Sequence, residues 1–229
     1  GRYTEAKRKL DSHQFHPWEG GEGKVPFQYQ TARIELAKLA IADEKYAEAI
    51  VLLNECLQYP HHLGEGKLYG AQENDFFYLL GLCYKAMGQE DEANKCFEQA
   101  TLGPTEPAAA MYYNDAKPDK IFYAGLAFRA LGDENKARAY FNRLVDYGKQ
   151  HLHEKVVMDY FAVSLPDLQI WDGSLDEANR IHCLYMLALG YAGLGDKEHS
   201  DRYLAEAASM NINHQGIQSF KTLYNVAKF

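Results

Sequence analysis

One spacing dominates the sequence. Ala49, Ala93 and Ala137 recur at intervals of 44 residues, and Ser200 follows after a further 63. Around each anchor the same side-chain sizes return. Twelve positions earlier stand Ala37, Gly81, Gly125 and Ala188, all small; four positions later stand Leu53, Phe97, Phe141 and Leu204, all large. Small residues admit the close approach of two backbones and large ones fill the space beside them, so a chain with this order folds into stacked pairs of helices. Asn74–Ala100 shows the unit whole. It predicts one helix over Asp75–Met87, a second over Gln89–Thr101, and Gly88 between them, where a helix C-terminus calls for positive φ.

Further slots agree. Nine residues before the anchor stand Tyr84, Phe128 and Tyr191, with Ala40 in the first copy; seven after it stand Cys56, Ala100, Leu144 and Ala207. The turns read Met87-Gly88, Leu131-Gly132 and Leu194-Gly195, but Asp43-Glu44 in the first copy. Over Gln30–Tyr59, Asn74–Leu144 and Asn179–Met210 this pattern resembles the tetratricopeptide-repeat family. The resemblance implies an all-α fold, a right-handed array of antiparallel helical hairpins. The connections here are longer than in the usual repeat of about 34 residues.

Taken as one domain over 1–229, the chain is expected to hold hairpins at about 28–58, 74–101, 119–148 and 175–208. Residues 3–13 look like half a repeat, because Ala6 and Leu10 mirror Ala49 and Leu53. The chain is therefore read as a piece of a larger protein that opens on the second helix of a pair. Ala108–Ala110 suggests a short helical turn in a proline-rich connector. The added material over Lys149–Leu175 suggests a short helix ending before Pro166, with Ser174 or Asp176 capping the next hairpin. Ile217, Phe220, Tyr224 and Ala227 mark a terminal amphipathic helix over about 214–227, expected to cover the end of the last repeat.

Composition excludes several function classes. With 47% hydrophobic residues the chain can bury a core, while a net charge of −8 argues against a nucleic-acid footprint. No apolar run approaches the roughly 20 residues of a membrane helix, so no membrane partner is expected. Cys56, Cys83, Cys96 and Cys183 form no C-x-x-C pair and read as buried thiols, which fits a reducing, cytoplasmic setting. His151, His153 and Glu154 have metal-ligand chemistry but stand on a polar connector, and no metal or cofactor is expected.

Two loops repeat each other. Gly-Glu-Gly-Lys occurs at 21–24 and again at 64–67, a displacement of 43, each time ahead of the first helix of a pair. The loops should therefore emerge side by side. A phosphate-binding loop is excluded, since Val25 and Leu68 stand where that motif needs Ser or Thr. Two readings stay open: tight turns that satisfy their own backbone, or a polar ligand edge formed by Trp18, Glu19, Glu22, Lys24, His61, His62, Glu65 and Lys67. A tryptophan beside carboxylates suits stacking against a sugar.

The resemblance also implies that the first helix of each pair lines a concave groove. Carried over by position, the groove holds Asp75, Tyr78, Leu82 and Lys85, then Asp119, Phe122, Leu126 and Arg129, then His182, Tyr185 and Leu189. This is either an exposed helical face with charge pairs, or a groove in which Lys85 and Arg129 meet the carboxylates of an extended ligand. The asparagines of the family's carboxylate-clamp subclass have no counterpart at the matching positions.

No catalytic constellation stands out, so the chain reads as a non-catalytic protein-interaction or scaffold module that binds protein or peptide, including an upstream domain of its own chain. A second likeness points elsewhere. The stretch HPWEGGEGK, followed by long repeats, resembles bacterial multidomain proteins in which a mutarotase-like β-sandwich precedes the repeats. That resemblance implies an accessory helical part of a carbohydrate-active protein, completing a sugar site through its Gly-Glu-Gly-Lys loops.

Overall fold

The computed structural model describes residues 1–18, 20–109, 117–156 and 174–227. Among these it is all helical. A lone helix, α1 (Tyr3–Ser12), precedes four antiparallel hairpins: α2 (Lys24–Ala42) with α3 (Tyr46–Cys56), α4 (Asn74–Ala86) with α5 (Glu90–Ala100), α6 (Pro118–Ala130) with α7 (Glu134–His151), and α8 (Leu175–Gly193) with α9 (Lys197–Met210). A final helix, α10, spans Gln215–Leu223. Each first helix also packs on the next, α2 on α4, α4 on α6 and α6 on α8, which builds one continuous inner face.

The size code is what closes each hairpin. A Cβ on Gly81 would lie 2.4 Å from the Phe97 ring, and one on Gly125 would lie 2.5 Å from the Phe141 ring. In the first and fourth hairpins the matching positions hold Ala37 with Leu53 and Ala188 with Leu204, all buried. Glycine accompanies phenylalanine and alanine accompanies leucine, so the combined volume at the crossing is held nearly constant.

The hairpin turns share one hydrogen-bond pattern. The N–H of Gln89 donates to Tyr84 O at 2.9 Å and that of Gly88 to Lys85 O at 3.0 Å; Asp133, Gly132, Asp196 and Gly195 repeat this in the next two turns. It is the Schellman cap, which sets one residue in the left-handed region. In the first hairpin that residue is Glu44, at φ 59°, with the same two bonds from Lys45 to Ala40 O and from Glu44 to Ile41 O.

Two helix boundaries differ from the sequence-based expectation. The first hairpin starts at Lys24 and not near residue 28, because Pro26 is tolerated in the first helical turn. The third hairpin continues through Lys149 to His151, so Lys149 is an exposed helical residue and not part of a connector. Ala108 and Ala109 are not helical, and Ala110 lies outside the described residues. Most of the segment expected to hold a helix ending before Pro166 is likewise outside them; Ser174 does cap α8, accepting from the Glu177 N–H.

The largest departure is α10. It touches the last hairpin at Tyr185 of α8 but extends across the inner face to α6 and α2. Phe220 packs edge-on against Phe122 of α6, the Tyr185 hydroxyl of α8 donates to Gly216 O at 3.1 Å, and Ser219 and Thr222 bond to Glu35 and Lys38 of α2. The apolar stripe of α10 was legible; its docking place was not.

Two stability outcomes follow. Gly81→Ala should destabilise the chain by about 1–3 kcal/mol through overpacking, yet cost almost nothing in a Phe97→Leu background. Additive losses in a urea double-mutant cycle would refute the size code. Glu44→Gly should raise the urea midpoint, by about 1 kcal/mol of stability, since it relieves a left-handed non-glycine residue; an unchanged or lower midpoint would contradict that account.

Candidate functional site

The two Gly-Glu-Gly-Lys stretches meet, and unequal local structure makes the meeting possible. The first copy turns directly into α2, with Gly23 as its N-cap at φ 75°. The second follows a single 3-10 turn over His61–Leu63, places Gly64 at φ 78°, and runs on as a loop to α4. The segments leading into them are joined by one backbone bond, the Phe15 N–H donating to His62 O at 2.8 Å. A Glu65 carboxylate oxygen then accepts from the Gly23 N–H at 2.7 Å. Gly23 opens α2, so the second copy's glutamate places negative charge on the first copy's helix N-terminus, where the helix dipole favours it.

Trp18 lies over the first loop. A Cβ on Gly21 would sit 1.9 Å from the indole, so only glycine lets the ring rest on this backbone. A cleft of about 300 Å³ is lined by Pro17, Trp18, Glu22 and Glu65. Glu22 and Glu65 also line a larger cavity, of about 800 Å³, that reaches from the loops to the inner face. Its far wall is Asp119, Lys120, His182 and Tyr185, closed by His214 to Gly216 ahead of and within α10. Residues expected on the loop edge and residues expected in the groove thus share one cavity.

The remaining edge residues stand apart. Lys24 is exposed as the first residue of α2, Lys67 pairs with Glu73 at 2.6 Å, and His61 is exposed on the 3-10 turn. His62 turns its ring edge-on to Tyr29 and its Nε2 is buried without a partner. None of these four lines the cavity, and Glu19 lies outside the described residues.

The groove residues divide similarly. Tyr78 is buried against Phe97 and Tyr123, and burial pushes its phenol well up. Phe122 is covered by Phe220, so neither ring faces an open groove. Arg129 forks onto Glu134 at 2.8 Å and donates also to Gly193 O, so much of its guanidinium is engaged within the fold. Lys85 is exposed at the end of α4 remote from the cavity. Asp75 is buried and accepts from Lys120 Nζ at 2.5 Å.

Charge in the cavity is balanced by these neighbours. Burial alone would lower the Lys120 pKa, but Asp75 and Asp119 hold its ammonium above the usual value. Burial raises the Asp119 carboxyl above the ordinary range, with Lys120 pulling the other way. His214 is held neutral: burial lowers its pKa, its Nδ1 accepts from the Ile217 N–H at 3.2 Å to cap α10, and its ring rests against Tyr185. His214 and Gln215 were missed from the sequence. Glu35 and Lys38, the buried charges of α2 that hold α10 through Ser219 and Thr222, were visible there.

Among the described residues there is no group of three metal-ligating side chains and no helix long and apolar enough to cross a membrane. Cys56, Cys83 and Cys183 are buried and Cys96 half-buried, all as free thiols; burial pushes Cys83 up to about 12, which leaves it unreactive.

Against this geometry, two tetratricopeptide-repeat family profiles match the chain, over residues 75–102 and 121–147. Those spans are the α4–α5 and α6–α7 hairpins. The chain therefore contains tetratricopeptide repeats within a helical solenoid of that kind, and such repeats generally bind proteins or peptides.

The His214 cap gives a pH outcome. Its folded pKa lies below the ordinary value near 6.5, so the unfolded chain binds the proton first. Its stabilising contribution is complete above that value and is lost as pH falls through the folded pKa. Between about pH 7.5 and pH 5, thermal stability should fall more in the wild type than in His214→Asn, whose cap does not titrate. Parallel pH profiles would contradict this.

Proposed function

We propose that the chain is a non-catalytic interaction module whose recognition surface is the loop-bearing edge and its cavity, and not the length of the concave groove. One observation carries this reading: α10 already fills the middle of the groove, while the meeting of the two Gly-Glu-Gly-Lys loops leaves a lined cavity open at its rim. Phe27, Leu68 and Tyr69 stand exposed around that rim, an apolar border suited to a protein surface or peptide segment. A second reading, an accessory helical part of a carbohydrate-active protein, is supported by the placement of Trp18 beside Glu22 and Glu65.

The two glutamates differ in what they test. Glu65 caps α2, so its loss weakens the fold as well as the edge; Glu22 makes no hydrogen bond among the described residues and tests recognition alone. Peptides selected by display against the full chain should bind Glu22→Ala at least about tenfold more weakly, a loss of about 1.4 kcal/mol, at unchanged melting temperature. Lys85→Ala should leave their affinity intact. Selected peptides that ignore Glu22 and instead compete with α10 would move the site to the groove and overturn the proposal.

A further inference from the structure

We infer that the cavity under the loop edge binds a neutral, polyhydroxylated small molecule, a mono- or disaccharide, and that α10 supplies part of its wall. The inference rests on the edge being the recognition surface and goes on to name what the cavity beneath it takes. At about 800 Å³ the cavity falls within the span of roughly 300–1,000 Å³ typical of small-molecule sites.

Charge selects against ions of either sign. Glu22, Glu65 and Asp119 line the space and oppose phosphate or carboxylate ligands, and among the described residues no arginine lines it to offset them. Lys117 and Lys120 line it as well and oppose an ammonium group, Lys120 already being held by Asp75. The lining thus carries both signs of charge, and a ligand ion of either sign meets a like charge in it.

The hydrogen-bonding pattern is that of hydroxyl recognition. Gln30 spends its Nε2 on Cys56 O and the Tyr59 hydroxyl, which leaves its Oε1 as an acceptor and the Tyr59 proton as a donor. Gln72 accepts from the Lys117 N–H and Gln215 accepts from Gln28, so each keeps its NH₂ as a donor. His214, capped at Nδ1, keeps its Nε2–H. Donors and acceptors therefore alternate around one cavity, and a sugar hydroxyl is both at once. Planar amides also engage two neighbouring hydroxyls together, which a fixed charge does less selectively.

An aromatic platform completes the set. The Trp18 indole is about half exposed, lies on Gly21, and shares the carboxylates Glu22 and Glu65 with the main cavity. A sugar ring stacked there would place its hydroxyls against those carboxylates. Part of the opposite wall comes with α10, because Gln215 and the N-cap His214 line the cavity. The same helix that fills the groove thus forms part of its rim.

The test is calorimetry and ligand-observed NMR on the full chain with neutral mono- and disaccharides, a matched uronic acid, an amino sugar and a sugar phosphate. The expected result is saturable binding of at least one neutral saccharide at about millimolar Kd or tighter, with the charged analogues weaker. Gln72→Ala, Gln215→Ala and Trp18→Ala should each weaken it about tenfold at unchanged melting temperature. Absence of saturation by every neutral saccharide, or tighter binding of a charged analogue, overturns the inference. If selected peptides still depend on Glu22 while no saccharide binds, this inference fails and the edge reading stands. Saccharide binding that depends on Gln72 and Gln215, with no peptide dependent on Glu22, supports the inference and removes the peptide reading of the edge.

Discussion

The arrangement depends on a buried ion pair in α2. Lys38 is 1% exposed and Glu35 2%, and taking two such charges out of water costs several kcal/mol each unless their hydrogen-bonding capacity is met. It is met almost wholly by α10. Lys38 Nζ donates to Glu35 at 2.8 Å, to Ser219 O at 2.9 Å and to the Ser219 hydroxyl at 2.6 Å; the Ser219 and Thr222 hydroxyls donate to Glu35 at 2.6 and 2.7 Å. Burial pulls the Lys38 pKa down while Glu35 opposes the shift. The pair contributes register more than net stability, because both charges are met together only where Ser219 and Thr222 face α2.

Everything on the inner face follows from that register. With Ser219 and Thr222 fixed on α2, Phe220 falls on Phe122 and Gly216 comes within reach of Tyr185. A Cβ at Gly216 would lie 2.9 Å from the Tyr185 ring, so the close crossing of α10 over α8 needs glycine there. The His214 cap then settles beside Tyr185, and the cavity acquires its last wall. A second charged cluster serves the other side of α2: Arg33, buried over the Tyr29 ring, bonds to Asp11 of α1 and Glu55 of α3 and ties the lone first helix to the first hairpin. Hydrogen bonds from Arg33 and Lys7 outweigh burial and hold the Asp11 carboxyl below its usual range.

The hairpins were legible in the sequence because their information is local. Gly81 and Phe97 are 16 positions apart and meet through one turn, so spacing alone identifies the contact. The docking of α10 is not local. Lys38 and Ser219 are separated by 181 positions, and no periodicity links them. What the sequence did carry was a demand: two opposite charges, three residues apart, in a helix otherwise built for burial. The cavity was hidden for a related reason. Its residues come from both loops, α2, α6, α8 and α10, segments that spacing reads separately as an edge, a groove and a terminal cap. Arg129 shows a different limit: Glu134 across the turn engages it, a contact that repeat spacing alone does not indicate.

Identical tetrapeptides have also become unequal parts. The repeat places two glutamates in corresponding positions, but only one has a helix N-terminus within reach. Glu65 lies over the start of α2 and accepts from Gly23, which commits one of its oxygens to the fold. Glu22 stands a unit earlier in the register, on the side of the loop turned to Trp18 and the cavity, and no N–H of another helix bonds to it among the described residues. The lysines diverge in the same way, Lys24 absorbed into a helix and Lys67 paired with Glu73. Translation along a solenoid keeps the sequence of a loop while changing what lies on either side of it. A duplicated turn can therefore hold the fold in one copy and face a ligand in the next, without any change in its residues.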